Sequence, residues 1–204
     1  MTVKERRLRE KAELRQEILD AARELFVREG YENFSMRKLA EKIEYSPTTI
    51  YLYFKDKADL LFNLCEETFS KLVQQLETIA SLATDPLDGL RAGMLAYVEF
   101  GVKHPANYLV TFVLPHPIGT PDSERYLCPT GMGLRAFDCL RQAVAECVRA
   151  GKFRSLDLEK ASQAIWAVLH GVTSLLVVHP DFPWVDRNDL VDQVIETTIE
   201  GLKA

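Results

Sequence analysis

The sequence predicts an all-α protein, with an N-terminal three-helix domain at residues 1–56 and a larger helical domain at residues 57–204. Apolar residues recur at three- and four-residue spacing through nearly the whole chain, and no segment shows the strict alternation that a half-buried strand requires. Capping residues, prolines and glycines separate these periodic segments. Together the two patterns predict about nine helices.

The N-terminal domain is predicted to hold three helices that pack against the start of a long fourth helix. The first helix ends at Gly30, which suits a left-handed backbone, and its apolar stripe consists of Ile18, Ala21, Ala22, Leu25 and Phe26. The next three helices are expected at about residues 36–43, 47–53 and 57–82, with caps at Ser35, Ser46 and Asp56. Only three residues separate the second helix from the third, which is helix-turn-helix spacing.

The C-terminal domain is predicted to hold the remaining helices. Asp85-Pro86 and His104-Pro105 each place a proline in a first helical turn, and Asp157 and Asp186 are caps. The helices are expected at about residues 86–103, 105–113, 134–150, 158–178 and 187–203. Residues 115–133 contain four prolines and three glycines, and they are predicted to form a loop.

Charge is distributed unevenly along the chain. The net charge is −5, yet residues 1–60 hold 13 Lys/Arg against 12 Asp/Glu, while the rest holds 12 against 18. The first fifteen residues hold six basic and three acidic side chains. An anionic partner is therefore expected to meet the N-terminal domain.

Other classes of function find little support in the sequence. No apolar run approaches the roughly 18 residues that span a membrane, and the charged N-terminus is not a secretory signal, so we expect a cytoplasmic protein with no membrane partner. No catalytic triad, phosphate-binding loop or metal-spaced carboxylate set is present, and we expect no enzyme activity, metal or cofactor. Reduced thiols are expected, with a redox sensor as the alternative, at Cys65, Cys128, Cys139 and Cys147.

The three-helix unit resembles the TetR family of transcriptional regulators. The residues that carry the resemblance run in order from Phe26–Gly30 and Tyr31 through Phe34–Ala40 to Ser46, Ile50, Tyr51, Tyr53, Phe54, Asp56, Lys57 and Leu60. The sequence departs from the family pattern at Glu44, where the turn usually carries glycine. The resemblance implies that double-stranded operator DNA is a partner and that the protein regulates transcription.

Each DNA-contacting residue type has a chemical reason to be there. The resemblance implies that Tyr51 and Tyr53 bind phosphates, and Lys57 and Ser35 stand at helix N-termini that suit an anion. The N-terminal end of a recognition helix enters the major groove, where threonine offers a hydroxyl and a methyl to bases. The full predicted set is Ser35, Met36, Arg37, Pro47, Thr48, Thr49, Tyr51, Tyr53 and Lys57. The basic arm at Arg6, Arg7, Arg9 and Lys11 is a further candidate, and Phe54 is expected in the core.

The C-terminal part resembles a TetR subgroup marked by Trp, His and Gly, here Trp166, His170 and Gly171. The family resemblance implies a domain that dimerises and commonly encloses a small molecule. Candidate ligand contacts are Phe62, Phe69, Tyr97, Phe100, Tyr108, Phe112, Phe137, Trp166 and His170, with core packing as the alternative, and few charges among them imply a mostly apolar ligand. Met132 is a further candidate, whereas His116 is held between Pro115 and Pro117 and a lone histidine is rarely a site.

A homodimer is expected through the last two helices. Their apolar faces predict a four-helix seam that includes Val168, Gly171, Leu175, Val191, Ile195 and Leu202. The sequence therefore predicts a repressor that binds a pseudo-palindromic operator as a homodimer and is released by a small ligand. The alternative is a DNA-binding regulator without an inducer, controlled by a protein partner or by its abundance.

Overall fold

The computed structural model describes residues 2–114 and 131–203, and its secondary structure there is helical, as predicted. The nine α-helices of these residues are α1 (Val3–Asn33), α2 (Met36–Lys42), α3 (Pro47–Tyr51), α4 (Lys57–Leu82), α5 (Pro86–Lys103), α6 (Pro105–Tyr108), α7 (Met132–Arg149), α8 (Leu158–Val178) and α9 (Arg187–Glu200). One β-bridge, Phe153 with Lys203, joins two single residues. Cys128, His116 and most of the predicted loop lie outside the described residues.

The helix starts confirm the predicted caps. The carboxylates of Asp56, Asp85, Asp157 and Asp186 each accept a backbone N–H from the first turn of the helix that follows. Ser35 and Ser46 do the same for α2 and α3. These bonds satisfy N–H groups that have no partner within the helix, so cap chemistry fixes where each helix begins.

Gly30 interrupts α1, as predicted. Its φ of 74° and ψ of 170° are not helical, and the chain makes one more turn to Asn33. The ammonium group of Lys57 donates to the Tyr31 carbonyl oxygen at 3.1 Å and lies 4.1 Å from the centre of the Tyr31 ring. The end of α1 is therefore bonded to the start of α4.

The turn between α2 and α3 is built on Glu44. Its φ is +58°, and no other non-glycine residue among the described ones has a positive φ. The left-handed region is costly for a residue with a Cβ, by roughly 1–2 kcal/mol. Glutamate thus adopts the backbone conformation that glycine would adopt more easily.

The core of the N-terminal domain continues into α4. Residues of α1, α2 and α3 pack with Phe54, Leu60, Leu61, Leu64 and Cys65 in one apolar cluster. Phe54 is buried in it, as expected. Because the first turns of α4 belong to this cluster, α4 connects the N-terminal domain rigidly to the rest of the chain.

The predicted helix at 105–113 changes its hydrogen-bonding pattern midway. After α6, residues Leu109–Val113 form a π-helical segment in which the Leu114 amide donates to the Leu109 carbonyl oxygen at 2.8 Å. Val110 joins the N-terminal core, whereas Tyr108 and Phe112 pack on the C-terminal core. The π segment therefore touches both domains.

The C-terminal core lies between α4, α5, α7, α8 and α9. Its buried residues include Leu72, Leu90, Met94, Val98, Val144, Cys147, Ile165, Leu169, Val191, Ile195 and Ile199. Gly101 permits the close approach of α5 and α8, since a Cβ there would overlap the Thr173 methyl and lie 2.8 Å from the Tyr108 ring. The absence of a side chain at Gly101 thus has a packing cause.

Helix α8 is both a core helix and a surface helix. An 18-residue window within it has a mean hydropathy of 1.5, enough by composition to cross a membrane, although its inner face packs in the C-terminal core. Its outer face exposes Val168, Leu175 and Val178, and a Cβ at Gly171 would meet nothing within 4 Å. The apolar composition of α8 therefore reflects one buried face and one exposed apolar stripe.

Candidate DNA interface and ligand site

Helix α3 presents its first turn to solvent. The Ser46 hydroxyl accepts the Thr49 amide at 3.1 Å and lies 2.9 Å from the Thr49 hydroxyl. Pro47 and Thr48 are exposed, Thr49 is half-buried, and Ile50 is buried beneath them. The cap and the buried isoleucine hold this turn in a fixed orientation, so Pro47 and Thr48 are free to contact another molecule.

Helix α2 contributes a mixed set. Ser35 is half-buried and caps the Lys38 amide, and Arg37 is exposed with its guanidinium 3.0 Å from Glu41. An exposed ion pair of this kind contributes little stability, so Arg37 can exchange the carboxylate for a phosphate. Met36 is only 7% exposed and packs in the N-terminal core. The prediction of Met36 as a DNA contact is corrected, because its side chain faces inward.

Tyr51 and Tyr53, the two tyrosines predicted to bind phosphates, differ in exposure. Tyr51 is 53% exposed, whereas Tyr53 is half-buried with the Lys11 ammonium 6.0 Å from its ring centre. The ammonium of Lys57 is occupied by the Tyr31 carbonyl and ring. Tyr51 is therefore the better placed phosphate donor, and Lys57 has a structural bond that a phosphate contact would have to share.

Three residues around α3 that are not in the predicted DNA-contacting set are also exposed. Leu52 is 75% exposed, and Tyr45 and Lys55 are exposed as well. Tyr45, Leu52 and Tyr53 line an open hollow of about 610 Å³ together with Arg7 and Lys11 of α1. The exposure of Leu52 beside Tyr45 and Tyr53 indicates a surface that could contact another molecule. The sequence alone does not show this exposure, because it depends on how α3 packs.

The basic arm is helical. Residue Val3 begins α1 behind a capping box between Thr2 and Glu5, and most residues up to Glu13 are exposed. Arg6 and Arg9 pair with Glu10 and Glu13, one turn later. The cations of the arm are therefore held along the first turns of α1.

Most of the predicted ligand contacts meet in one place. We call aromatic cluster the set in which each ring lies within 6.5 Å of a neighbour, centre to centre: Phe69, Tyr97, Tyr108, Phe112, Phe137, Trp166 and His170. Phe100 is buried elsewhere in the core, with its ring 5.3 Å from His104, and Phe62 is half-buried on α4. The start of α7 borders the cluster, because a Cβ at Gly133 would lie 3.1 Å from the Phe69 ring.

The aromatic cluster has a hydrogen-bonded centre. The Tyr108 hydroxyl lies 2.8 Å from His170 Nδ1 and 3.1 Å from the His170 carbonyl oxygen. Trp166 Nε1 donates to the Tyr97 hydroxyl at 3.3 Å, and that hydroxyl lies 3.4 Å from the same Nδ1. Burial raises the pKa of Tyr97 to about 12 and lowers the pKa of His170. All four groups are therefore neutral at neutral pH.

The described cysteines are unreactive in character. Burial raises the pKa of Cys65 to about 12 and that of Cys147 to about 11, and it also raises the pKa of Cys139. The thiolate is the reactive form, and a raised pKa suppresses it. This favours the structural use of these thiols, while Cys128 lies outside the described residues.

The predicted dimer residues divide into exposed and buried ones. Val168 and Leu175 are exposed on the outer face of α8, with Gly171 between them. Val191 and Ile195 are buried in the protomer's own core, and Leu202 lies beyond the end of α9. The assignment of Val191 and Ile195 to an interface is corrected, because side chains sealed within one protomer have no area to offer a partner.

Known proteins match both domains. The family model for bacterial regulatory proteins of the tetR family matches residues 18–64, and the model for a tetracyclin repressor-like C-terminal domain matches residues 90–201. The resemblance to the Trp-His-Gly subgroup stays a prediction, since neither model is described in those terms.

Two relatives and one solved structure extend these matches over most of the chain. The HTH-type transcriptional regulator AcrR of Shigella flexneri is 30% identical over 176 residues, which cover 82% of this chain and 78% of that protein. The probable HTH-type transcriptional regulator ArpR of Pseudomonas putida is 27% identical, covering 97% and 96%. The transcriptional regulator FadR of Bacillus subtilis, solved in complex with stearoyl-CoA, superposes with a TM-score of 0.80 at 21% identity, covering 92% and 98%.

Proposed function

The chain belongs to the TetR family of transcriptional regulators, and on that premise we propose that it is a repressor that binds a pseudo-palindromic operator as a homodimer and is released by a small, mostly apolar ligand. The observation that carries the DNA half of the proposal is the exposed first turn of α3, held by the Ser46 cap above a buried Ile50. Such a turn fits the major groove while neighbouring hydroxyls bind phosphates.

The exposed stripe of α8 supports the homodimer. Val168, Leu175 and Val178 share one face with Gly171, and such a face is costly to leave in water. In a two-fold interface the stripe would pack on its own copy, and glycine would let the two helices approach closely. Two DNA-binding domains would then read two half-sites about one helical turn apart, roughly 34 Å.

The aromatic cluster supports the ligand. It lies on five different helices and the π segment, and its side chains are uncharged. Sites for small molecules are mostly apolar with a few polar groups that fix orientation. The FadR structure, solved in complex with stearoyl-CoA, supports a ligand with a long apolar part.

Two physical connections join the aromatic cluster to the DNA-binding domain. In the π segment, Phe112 packs in the cluster while Val110, two residues earlier, packs in the N-terminal core. On α4, Glu66 accepts the Met132 amide at the start of α7, while the adjacent Glu67 pairs with Arg23 of α1 at 3.5 Å. A ligand that displaced Phe112 or the start of α7 would thus move α4 and α1.

The experiment begins with selection of duplexes from a random library by the full-length protein. Binding to the selected operator is then followed by fluorescence anisotropy at several salt concentrations, where affinity should fall steeply as salt rises. Failure to select any duplex at low salt would contradict the DNA half of the proposal.

Ligand control is tested by calorimetry with and without the operator. A compound found by thermal-shift screening should bind more weakly to the operator complex, by the same factor by which it weakens operator binding, typically about 5- to 150-fold. Equal affinities would favour the alternative regulator, which has no inducer and is controlled by a protein partner or by abundance.

A further inference from the structure

We propose that His170 is the polar anchor of the ligand site and that its Nε2–H donates to a neutral acceptor, a carbonyl or ether oxygen on an otherwise apolar small molecule. The inference rests on the proposed ligand function and adds the chemical class of the ligand. It follows from the placement of a few protons around one imidazole ring.

The first step is the tautomer of His170. The single proton of the Tyr108 hydroxyl can go to Nδ1 at 2.8 Å, to the His170 carbonyl at 3.1 Å or to the Tyr97 hydroxyl, which already accepts the Trp166 N–H. That carbonyl lies inside α8, where it already accepts a helical N–H, and the imidazole nitrogen is the nearer and freer acceptor. Tyr108 therefore donates to Nδ1, and the ring proton of the neutral histidine resides on Nε2.

The second step is the accessibility of Nε2. Within residues 2–114 and 131–203 no hydrogen bond reaches this atom, although Nδ1 has two hydroxyl neighbours. Among the same residues, the Thr111 hydroxyl is the one fully buried side-chain polar atom without a hydrogen bond. Among the described residues His170 Nε2 therefore has no hydrogen-bond partner, and the His170 side chain is half-buried, so an acceptor supplied by a ligand would satisfy this N–H.

The third step is charge. Within the part of the chain that the structure describes, no charged side chain acts on the pKa of His170, which burial lowers, so the ring stays neutral. A ligand carboxylate would lose its hydration here without gaining a cation, and a ligand ammonium would gain no carboxylate. A carbonyl or ether oxygen accepts one N–H and carries no charge, so it matches the site.

The fourth step is orientation by the neighbouring residues. Trp166 precedes His170 by one helical turn, and its Nε1–H is already donated to Tyr97. The Tyr97 and Tyr108 hydroxyls hold the His170 ring from the Nδ1 side. Nε2 is therefore the donor of this group that a ligand can engage without breaking an existing bond.

Binding is tested with three probes of the same shape: para-butylacetophenone, its hydrocarbon counterpart para-butylcumene, and para-butylbenzoate. Each is titrated into the full-length protein by isothermal calorimetry. The ketone should bind about fivefold more tightly than the hydrocarbon, the usual net effect of one hydrogen bond, and the benzoate should bind most weakly. Binding of none of the three, equal binding of ketone and hydrocarbon, or a preference for the benzoate would overturn the proposal.

Three variants assign the effect to His170. His170→Phe should bind the hydrocarbon as the unmodified protein does and lose the preference for the ketone, while His170→Gln, which keeps an N–H donor, should retain part of it. Tyr108→Phe removes the hydroxyl that sets the tautomer and should reduce the preference. A ketone preference that survives His170→Phe would overturn the assignment.

The tautomer is measured without any ligand. Long-range ¹⁵N–¹H correlation spectra of the protein labelled at histidine should show His170 as the neutral form with its proton on Nε2, and Tyr108→Phe should redistribute the two tautomers. A proton on Nδ1 would overturn the proposal even if a variant failed to fold.

Operator binding is followed in parallel with the same probes. If the ketone binds through His170 and leaves operator affinity unchanged, the ligand site at His170 is supported, and the proposal that a ligand releases the operator is contradicted. If a compound releases the operator but binds the His170→Phe variant and the unmodified protein equally, release by a ligand is supported, and the role of His170 as the polar anchor is contradicted.

Discussion

At the scale of single residues, exposure separates the side chains that can touch DNA from those that hold the turn. Thr48 and Tyr51 are exposed at opposite ends of α3, while Ile50 between them is buried. A side chain at the N-terminal end of a recognition helix meets bases, and a tyrosine at the far end meets the backbone. The two should therefore differ in what they contribute.

Tyr51→Phe should weaken binding to all duplexes to a similar degree, because it removes a phosphate hydrogen bond. Thr48→Ala should instead change the preference among bases, at a cost of about 1–3 kcal/mol for the preferred operator. Anisotropy titrations with the operator and with single-base variants measure both. A change in base preference on Tyr51→Phe, with non-specific affinity intact, would contradict these roles.

Glu44→Gly should stabilise the protein by roughly 0.5–1 kcal/mol, since glycine adopts a φ of +58° without the penalty of a Cβ. Urea unfolding of both proteins gives the difference. Glu44→Ala is the matched control, because it removes the same charge and keeps the Cβ. Equal stabilisation by the two changes would mean that charge, and not backbone strain, is responsible.

His170 should make stability depend on pH. Burial lowers its pKa in the folded protein below the ordinary value of 6.5. Above that value both states are neutral, and as the pH falls through it the unfolded chain takes up the proton first, so stability decreases until the folded pKa is passed. Urea unfolding from about pH 7 to pH 5 should show a smaller decrease for His170→Gln. An equal decrease in stability with falling pH in both proteins would contradict the lowered pKa of His170 in the folded protein.

The sequence predicted residue types around α3 better than it predicted their orientation. The Tyr51 and Thr48 pattern is local, and both side chains are exposed as a contact requires. Met36 lies one residue before Arg37, and only the rotation of α2 against α1 decides that the methionine faces inward. The bond of Lys57 to Tyr31 likewise depends on the fold-back at Gly30, which spacing alone does not reveal.

At the scale of helices, the starts with side-chain caps were predictable because caps are short-range, whereas the uncapped α7 begins at Met132 rather than at about 134, and α9 ends at Glu200 rather than at about 203. Asp85-Pro86 and Asp157 mark helix starts within a residue of their true positions. The π segment was not predicted, since LVTFV has the composition of an ordinary helix, and its irregular bonding arises from packing against two cores at once.

Gly101 faces a neighbouring helix and Gly171 faces outward, so alanine substitutions at these two glycines can be compared directly. Gly101→Ala should destabilise the protein by about 1–3 kcal/mol, because the new methyl meets Thr173 and Tyr108. Gly171→Ala should leave the protomer as stable or raise its stability by up to about 1 kcal/mol through helix propensity, because nothing lies within 4 Å.

Urea unfolding compares the two changes, and light scattering reports whether Gly171→Ala weakens the dimer. Tolerance of Gly101→Ala would contradict the close approach of α5 and α8. A dimer unchanged by Gly171→Ala would place that residue outside the interface.

At the scale of the whole molecule, the outer face of α8 is the surface through which we expect two protomers to meet. Leu175→Glu or Val168→Glu should give monomers that remain helical, because both residues are exposed. Ile195→Glu is the contrasting control, since that residue is 2% exposed and a buried charge should unfold the protomer. Light scattering and circular dichroism distinguish the outcomes. Dimers that tolerate both exposed changes would move the interface elsewhere.

The sequence predicted apolar faces on α8 and α9 but not which of these faces is covered within the protomer. An apolar periodicity states which residues share a face, and it does not state whether that face meets the same chain or a second one. On α9 the apolar face of Val191 and Ile195 packs on its own protomer. On α8 the helix is apolar on two sides, and one of them remains uncovered.

The π segment makes this part of the chain sensitive to the deletion of a single residue. A π-helical turn holds one residue more than an α-helical turn, so Leu109–Val113 is equivalent to an inserted residue that the helix has absorbed. Deleting Thr111 here would restore ordinary α-helical pitch and leave the flanking residues in nearly the same orientation, but it would bring Val110 and Phe112 to adjacent positions, about 100° apart around the helix. Val110 and Phe112 could then no longer face their two separate cores. A single-codon deletion in this stretch is thus expected to disconnect ligand binding from DNA binding, while helix content barely changes.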